Sequence, residues 1–150
     1  MAVTIPLGRR MSEAGGELIE FALVVPILVL LLAGIFDFGM MFRSYEVVTN
    51  AAREGARVGV LPGYTPADVQ ARVDAYMGVS GLTGPYTVTV TNLPIATGAG
   101  TFTARSVLVD YTYQFAILGG VGAAFGGGLT TIPLRALSVM RTETQAAAGP

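Results

Sequence analysis

Two glutamates, Glu17 and Glu20, stand at the head of the longest apolar run in the chain, directly after Gly15 and Gly16. A carboxylate in that position has two kinds of work open to it. In the first turn of a helix it meets unsatisfied backbone amides and the positive end of the macrodipole, which stabilise it as an ordinary helix-start acid. In a low dielectric it can also neutralise a cation brought against it, where pairing is worth far more than in water and an unpaired charge is penalised. Asp37 interrupts the apolar run near its outer end and reads as an interfacial carboxylate rather than an ion or proton relay. Asp110, Thr112 and Gln114 share a strand face, but with no histidine, cysteine or convergent acid pair beside them they read as its solvated side.

Composition closes most other chemical routes. The 150 residues include no cysteine and no histidine, so there is no disulfide framework, no thiolate, and neither the commonest general base nor the commonest zinc ligand. No phosphate loop or zinc spacing occurs, and "GGVGAAFG" falls between strands rather than at the strand-to-helix turn that a dinucleotide fingerprint requires. We therefore expect no catalytic residues, no cofactor, no metal and no enzymatic activity. All 9 basic residues are arginine, the net charge is −1, and no basic patch interleaves with aromatics, which excludes nucleic acid as a partner. A chain that is 52% hydrophobic and 13% charged is too apolar to be wholly soluble.

The elements that must position these residues begin with that apolar run. Residues 21–42, at about 1.5 Å each, make a helix of about 33 Å, enough to cross a hydrocarbon core of about 30 Å. A cleaved secretory signal would have a shorter apolar core, and here the helical pattern runs on through "RSYEVVTNAAREGARVG". Pro26 removes one backbone bond and frees the carbonyl of Ala22, which a membrane helix tolerates when neighbours satisfy the freed group. Arg9 and Arg10 precede the run while Arg43, Arg53 and Arg57 follow it, so arginine bias does not orient it.

Beyond the run, Ala51, Gly55 and Gly59 recur every fourth residue, as do Ala52 and Ala56, making a smooth stripe that admits close approach of another element. The protein's own sheet is the simpler partner and a neighbouring subunit the sharper one. Off the stripe, Glu54 can pair with Arg57. "LPGYTPAD" breaks the helix, and Thr65 as cap, Pro66 at the first position and Asp68 near the positive end start a second helix over about 66–77, with Val69, Val73 and Tyr76 or Met77 inward.

The period then turns to alternation. Tyr86, Val88 and Val90 lie opposite Thr87, Thr89 and Thr91 on a first strand; Val107, Val109, Tyr111, Tyr113 and Phe115 share a face on a second; Ile132, Leu134, Ala136 and Met140 align on a third, whose Pro133 points to an edge. The connector "AILGGVGAAFGGG" is read as a flexible apolar loop, either a plain linker or a contact surface facing membrane or partner. The tail "TQAAAGP" is expected to fray.

Read together, "GGELIEFALVVPILVLLLAGIFDFGMMF", "TNAAREGARVGV" and "LTTIPLRALSVMR" resemble the TadE-like family of pseudopilins, most specifically in Glu20-Phe21, Pro26 and "NAAREGAR". The resemblance implies an α+β protein: a long N-terminal transmembrane helix continuing into an amphipathic helix, a second short helix, and a small antiparallel sheet of about three strands. It implies a prepilin-type leader over 1–15, a transmembrane helix over 16–42, a helix extension over 43–61, a small extracytoplasmic α+β domain over 62–143 and a flexible tail over 144–150. The implied function is that of a minor pseudopilin or assembly subunit of a bacterial tight-adherence (Flp, type IVb) pilus. Its implied partners are a prepilin peptidase, other pilus subunits, the inner-membrane assembly platform and the membrane itself, with the N-terminus cytoplasmic.

In that family a glycine precedes the cut, with glutamate at the fifth mature position and an aromatic at the sixth. Cleavage between Gly15 and Gly16 puts Glu20 fifth and Phe21 sixth, whereas cleavage after Gly16 would put Glu20 fourth. On this reading Glu20 of one subunit neutralises the new amine at Gly16 of its neighbour, while Glu17 is only a helix-start acid. The rival reading is an unprocessed, membrane-anchored extracytoplasmic binding or assembly module.

Overall fold

The computed structural model describes residues 9–98, 100–124, 126–127 and 130–142, so part of the leader expected over 1–15 and the whole tail expected over 144–150 lie outside the described residues. Helix α1 (Arg9–Gly59) runs unbroken for 51 residues and carries Pro26 within it. At about 1.5 Å per residue this is a rod of about 76 Å. Its two halves differ in surroundings: from Leu18 to Ile35 the large apolar side chains are exposed, whereas Val48, Ala51, Ala52 and Ala56 are fully buried. One helix therefore serves as a bare apolar rod at one end and as a core element at the other.

The helix stops where "LPG" begins, with Leu61, Pro62 and Gly63 turning the chain and Gly63 at φ +86°. Helix α2 (Pro66–Val79) starts on a reciprocal cap: the Asp68 amide donates to Thr65 Oγ1 at 3.4 Å while the Thr65 amide donates to Asp68 Oδ2 at 2.8 Å. It turns Val69, Val73 and Met77 into the core. Met77, and not Tyr76, is the fully buried member of the expected pair.

Strands β1 (Tyr86–Thr97), β2 (Gly100–Gln114) and β3 (Thr131–Arg141) form an antiparallel meander in the order β1-β2-β3. Register sets Tyr86 against Tyr111 and Tyr111 against Leu134, then Val88, Val109 and Ala136 in the next row, so the alternating face expected from sequence is the face that packs on α1 and α2. Pro133 sits on the edge strand β3 and Pro94 on the edge strand β1, where a missing donor costs the ladder least. The core lies between this sheet and the pair α1 and α2.

The α+β architecture with a long N-terminal apolar helix, a short second helix and a three-stranded sheet is as expected. One element differs. The connector between β2 and β3, read as a flexible loop, contains a short helix α3 (Leu118–Ala124) that packs against α1. Its glycines, Gly119, Gly120 and Gly122, each cost helix stability of up to about 1 kcal/mol relative to alanine, so no local propensity announces it. Tertiary contacts hold it instead.

Candidate functional site

The residues singled out at the head of the apolar run all lie on α1. Gly15 and Gly16 are helical, and a Cβ added to either would meet nothing within 4 Å. Glu17, Glu20 and Phe21 are exposed, and the last is 67% accessible. Successive positions around a helix are separated by about 100°, so Glu20 and Phe21, three and four residues beyond Glu17, both lie on its side of the helix. Two adjacent glycines weaken α1 locally, since each lacks about 1 kcal/mol of helix preference relative to alanine.

The small-residue stripe lies at the other end. Ala51, Ala52, Gly55, Ala56 and Gly59 are buried, facing α2 and the sheet. A Cβ on Gly55 would stand 2.7 Å from Val73 Cγ2 and 3.4 Å from both Val69 Cγ1 and Val107 Cγ1; on Gly59 it would stand 2.7 Å from Arg105 Cδ and 3.1 Å from Val69 Cγ2. The close approach that the stripe permits is thus used within the chain, by α2 and β2. Beside it, Glu54 accepts from Arg57 Nη2 at 2.7 Å and also from Arg72 of α2. The hydrogen bonds from Arg57 and then Arg72 draw the Glu54 carboxyl down to about 2 from its ordinary 4.5. Arg57 pairs with Glu54 within α1, and Arg72 is the link that fastens α2 to α1 at the surface.

Between the two halves sits Asp37. Expected as an interfacial carboxylate, it is fully buried by the protein. Its Oδ2 accepts from the Ile117 amide at 3.0 Å and the Leu118 amide at 2.7 Å, the start of α3, and its own carbonyl accepts from the Tyr113 hydroxyl at 3.3 Å. Oδ1 is buried with no partner among the described residues. Phe38 packs edge-on against Phe115 with centroids 5.8 Å apart, and Phe115 against Tyr113 at 5.4 Å. A carboxylate from the apolar helix thus caps the connector helix, and aromatics from both elements close around it. Sequence reasoning missed this junction; its one available signal was that Asp37 is the sole charge in residues 21–42, since an ionisable group inside an apolar span implies a partner.

Asp110 on the open face of β2 pairs with Arg135 of β3 at 2.7 Å. Among the described residues no group of three or more acids could hold a metal ion.

Of the described helices, α1 alone is long and apolar enough to cross a membrane, over Gly15–Gly59, and its most apolar window is only 6% buried, compatible with a single-pass anchor. No curated protein and no solved structure matches the chain. The family evidence lies in α1 itself: residues 15–57, from the tandem glycine to the arginine that clasps Glu54, match the family model described as TadE-like protein, which identifies that stretch as a TadE-like segment.

Proposed function

We propose that the chain is a minor pseudopilin or assembly subunit of a bacterial tight-adherence (Flp, type IVb) pilus, a non-catalytic part anchored in the inner membrane by α1. A prepilin peptidase cuts it between Gly15 and Gly16 on the cytoplasmic side, and the α+β domain stands outside. The observation that carries this reading is the extent of the TadE-like match: it begins at the proposed cut and runs through the bare apolar half of α1 into the half that builds the domain.

Exposure of Glu17, Glu20 and Phe21 supports a role between subunits, because side chains that touch no core are free to meet a neighbour. After cleavage the amine of Gly16 and the carboxylate of Glu20 would carry opposite charges at the membrane face. Pairing them between neighbours relieves two desolvation penalties at once and so selects one axial register. Glu17 needs only the helix start.

Gly15→Leu and Glu20→Ala test this in cells. Both variants are expected to insert in the membrane normally; Gly15→Leu accumulates at the uncut mass, and both lose pilus assembly. Normal assembly by both variants would favour the unprocessed binding module. One observation gives that rival weight: the sheet's open face carries Leu93, Leu137 and Val139, which are 38%, 64% and 46% exposed and available to a protein partner.

A further inference from the structure

The helix α3 and the start of its connector lie against a part of α1 that has no business with a water-exposed loop. Ile117 and Val121 line a groove of about 440 Å³ together with Pro26, Ile27, Leu30 and Ala33 of α1. On the other side of α3, Leu118 lines a second groove of about 760 Å³ along α1 from Ile27 to Phe42. Ala33 is nine residues below Phe42, hence about 14 Å inside the apolar run, nearly the depth of one leaflet of a core about 30 Å thick. If α1 crosses the bilayer, α3 cannot be beside Ala33 and also outside the lipid.

The segment is built for that depth. From Phe115 to Ala124 the sequence "FAILGGVGAA" has no charged side chain and no side-chain hydrogen-bonding group. Irregular backbone at membrane depth survives only where its polar groups are satisfied by protein. Here the Ile117 and Leu118 amides are taken by Asp37, the Phe115 amide by Thr130 O at 3.0 Å, the Val121 amide by Ile117 O at 3.1 Å and the Gly127 amide by Gly122 O at 2.8 Å. Asp37 itself is sealed from lipid by the contacts that surround it.

We infer that α3 is a membrane-dipping foot, in which Ile117, Leu118 and Val121 enter the leaflet nearest the sheet and are covered by lipid acyl chains, with Asp37 as the polar latch that lets the backbone go there. The lipid is the occupant because the grooves continue without a polar break into the exposed apolar surface of α1. The foot gives the domain a second membrane contact, so that it stands at a fixed tilt and height rather than swinging on one helix. This inference rests on the reading of α1 as a membrane span.

The absence of cysteine makes the test direct. Single variants Ala123→Cys in the foot, Leu28→Cys in the span and Thr89→Cys on the sheet, all at exposed positions, carry a nitroxide in the full chain reconstituted in phosphatidylethanolamine and phosphatidylglycerol vesicles. Collision with oxygen, which concentrates in lipid, is compared with collision with a water-soluble nickel chelate. The foot predicts an oxygen-to-nickel ratio at position 123 close to that at 28 and well above that at 89. A ratio at 123 equal to that at 89, with 28 still in lipid, overturns the foot and leaves the anchor standing. Low collision with both reagents at 123 would mean that a protein, such as a second copy, covers the groove, and also overturns it. A water-exposed position 28 would remove the anchor and the foot with it.

Discussion

At the scale of single residues, the glycines of the stripe differ in what surrounds them, and so in what their replacement costs. A methyl at position 55 runs into the branched Val73 at 2.7 Å, and a helical valine has little χ1 freedom with which to make room for it. Gly55→Ala is expected to cost up to about 2 kcal/mol, an overpacking penalty of about 1–3 kcal/mol offset by about 1 kcal/mol of alanine's helix preference. At position 59 the nearest atom is the flexible stem of Arg105, which can swing away, so Gly59→Ala stays within about 1 kcal/mol of wild type. Denaturant unfolding of the full chain in detergent separates the two. Glu54 gives a pH signature: its folded carboxyl is held at about 2 against an ordinary 4.5, so the arginine clasp stabilises above the ordinary value and that contribution is lost as pH falls from about 4.5 through about 2. Glu54→Gln should flatten the acid-side loss of melting temperature and cost roughly 1 kcal/mol at neutral pH, more in low salt than in high. An unchanged acid slope would show that the clasp is not coupled to folding. Glu54 with Arg57 was legible from spacing alone, but Arg72 was not: it approaches from 18 residues away and depends on how α2 lies on α1.

At the scale of elements, what could be read was what repeats. The alternation in β2 names Val107, Val109, Tyr111 and Tyr113 as core, and they are all buried; Thr65, Pro66 and Asp68 name the start of α2 to the residue. What could not be read was contact-made. The glycines of α3 argue against a helix, and the acid that caps it lies 80 residues earlier in the chain. No local window contains both halves of that arrangement. Its consequence is testable: Asp37→Ala removes the acceptor of two amides, which costs about 1–3 kcal/mol at this junction. Hydrogen exchange should then rise sharply at Ile117 and Leu118 while the paired amides of β1 and β2 keep their protection. Uniform loss of protection across the sheet would instead make Asp37 a general folding residue, and no change would mean that the latch is idle.

At the scale of the whole molecule, α1 joins what sequence divides. Composition places a boundary near residue 61, where the helix ends, yet Val48, Ala51, Ala52 and Ala56 are as deep in the core as Val69 or Val107. A fragment of residues 43–142 should therefore fold and melt cooperatively by far-UV circular dichroism, whereas residues 62–142 should not, because they lose the helix that the sheet and α2 close upon. The continuity has a mechanical consequence: force applied at the bare apolar half of α1 passes into the domain along one helix, with no linker to absorb it. The proposed cut lies at the other end of the same helix. The mass of the mature chain purified from membranes of cells that assemble the pilus tests it most directly. The expected product is a chain whose first residue is Gly16, with Glu20 fifth. A chain that retains Gly15 and the residues before it, with no product beginning at Gly16, would contradict it.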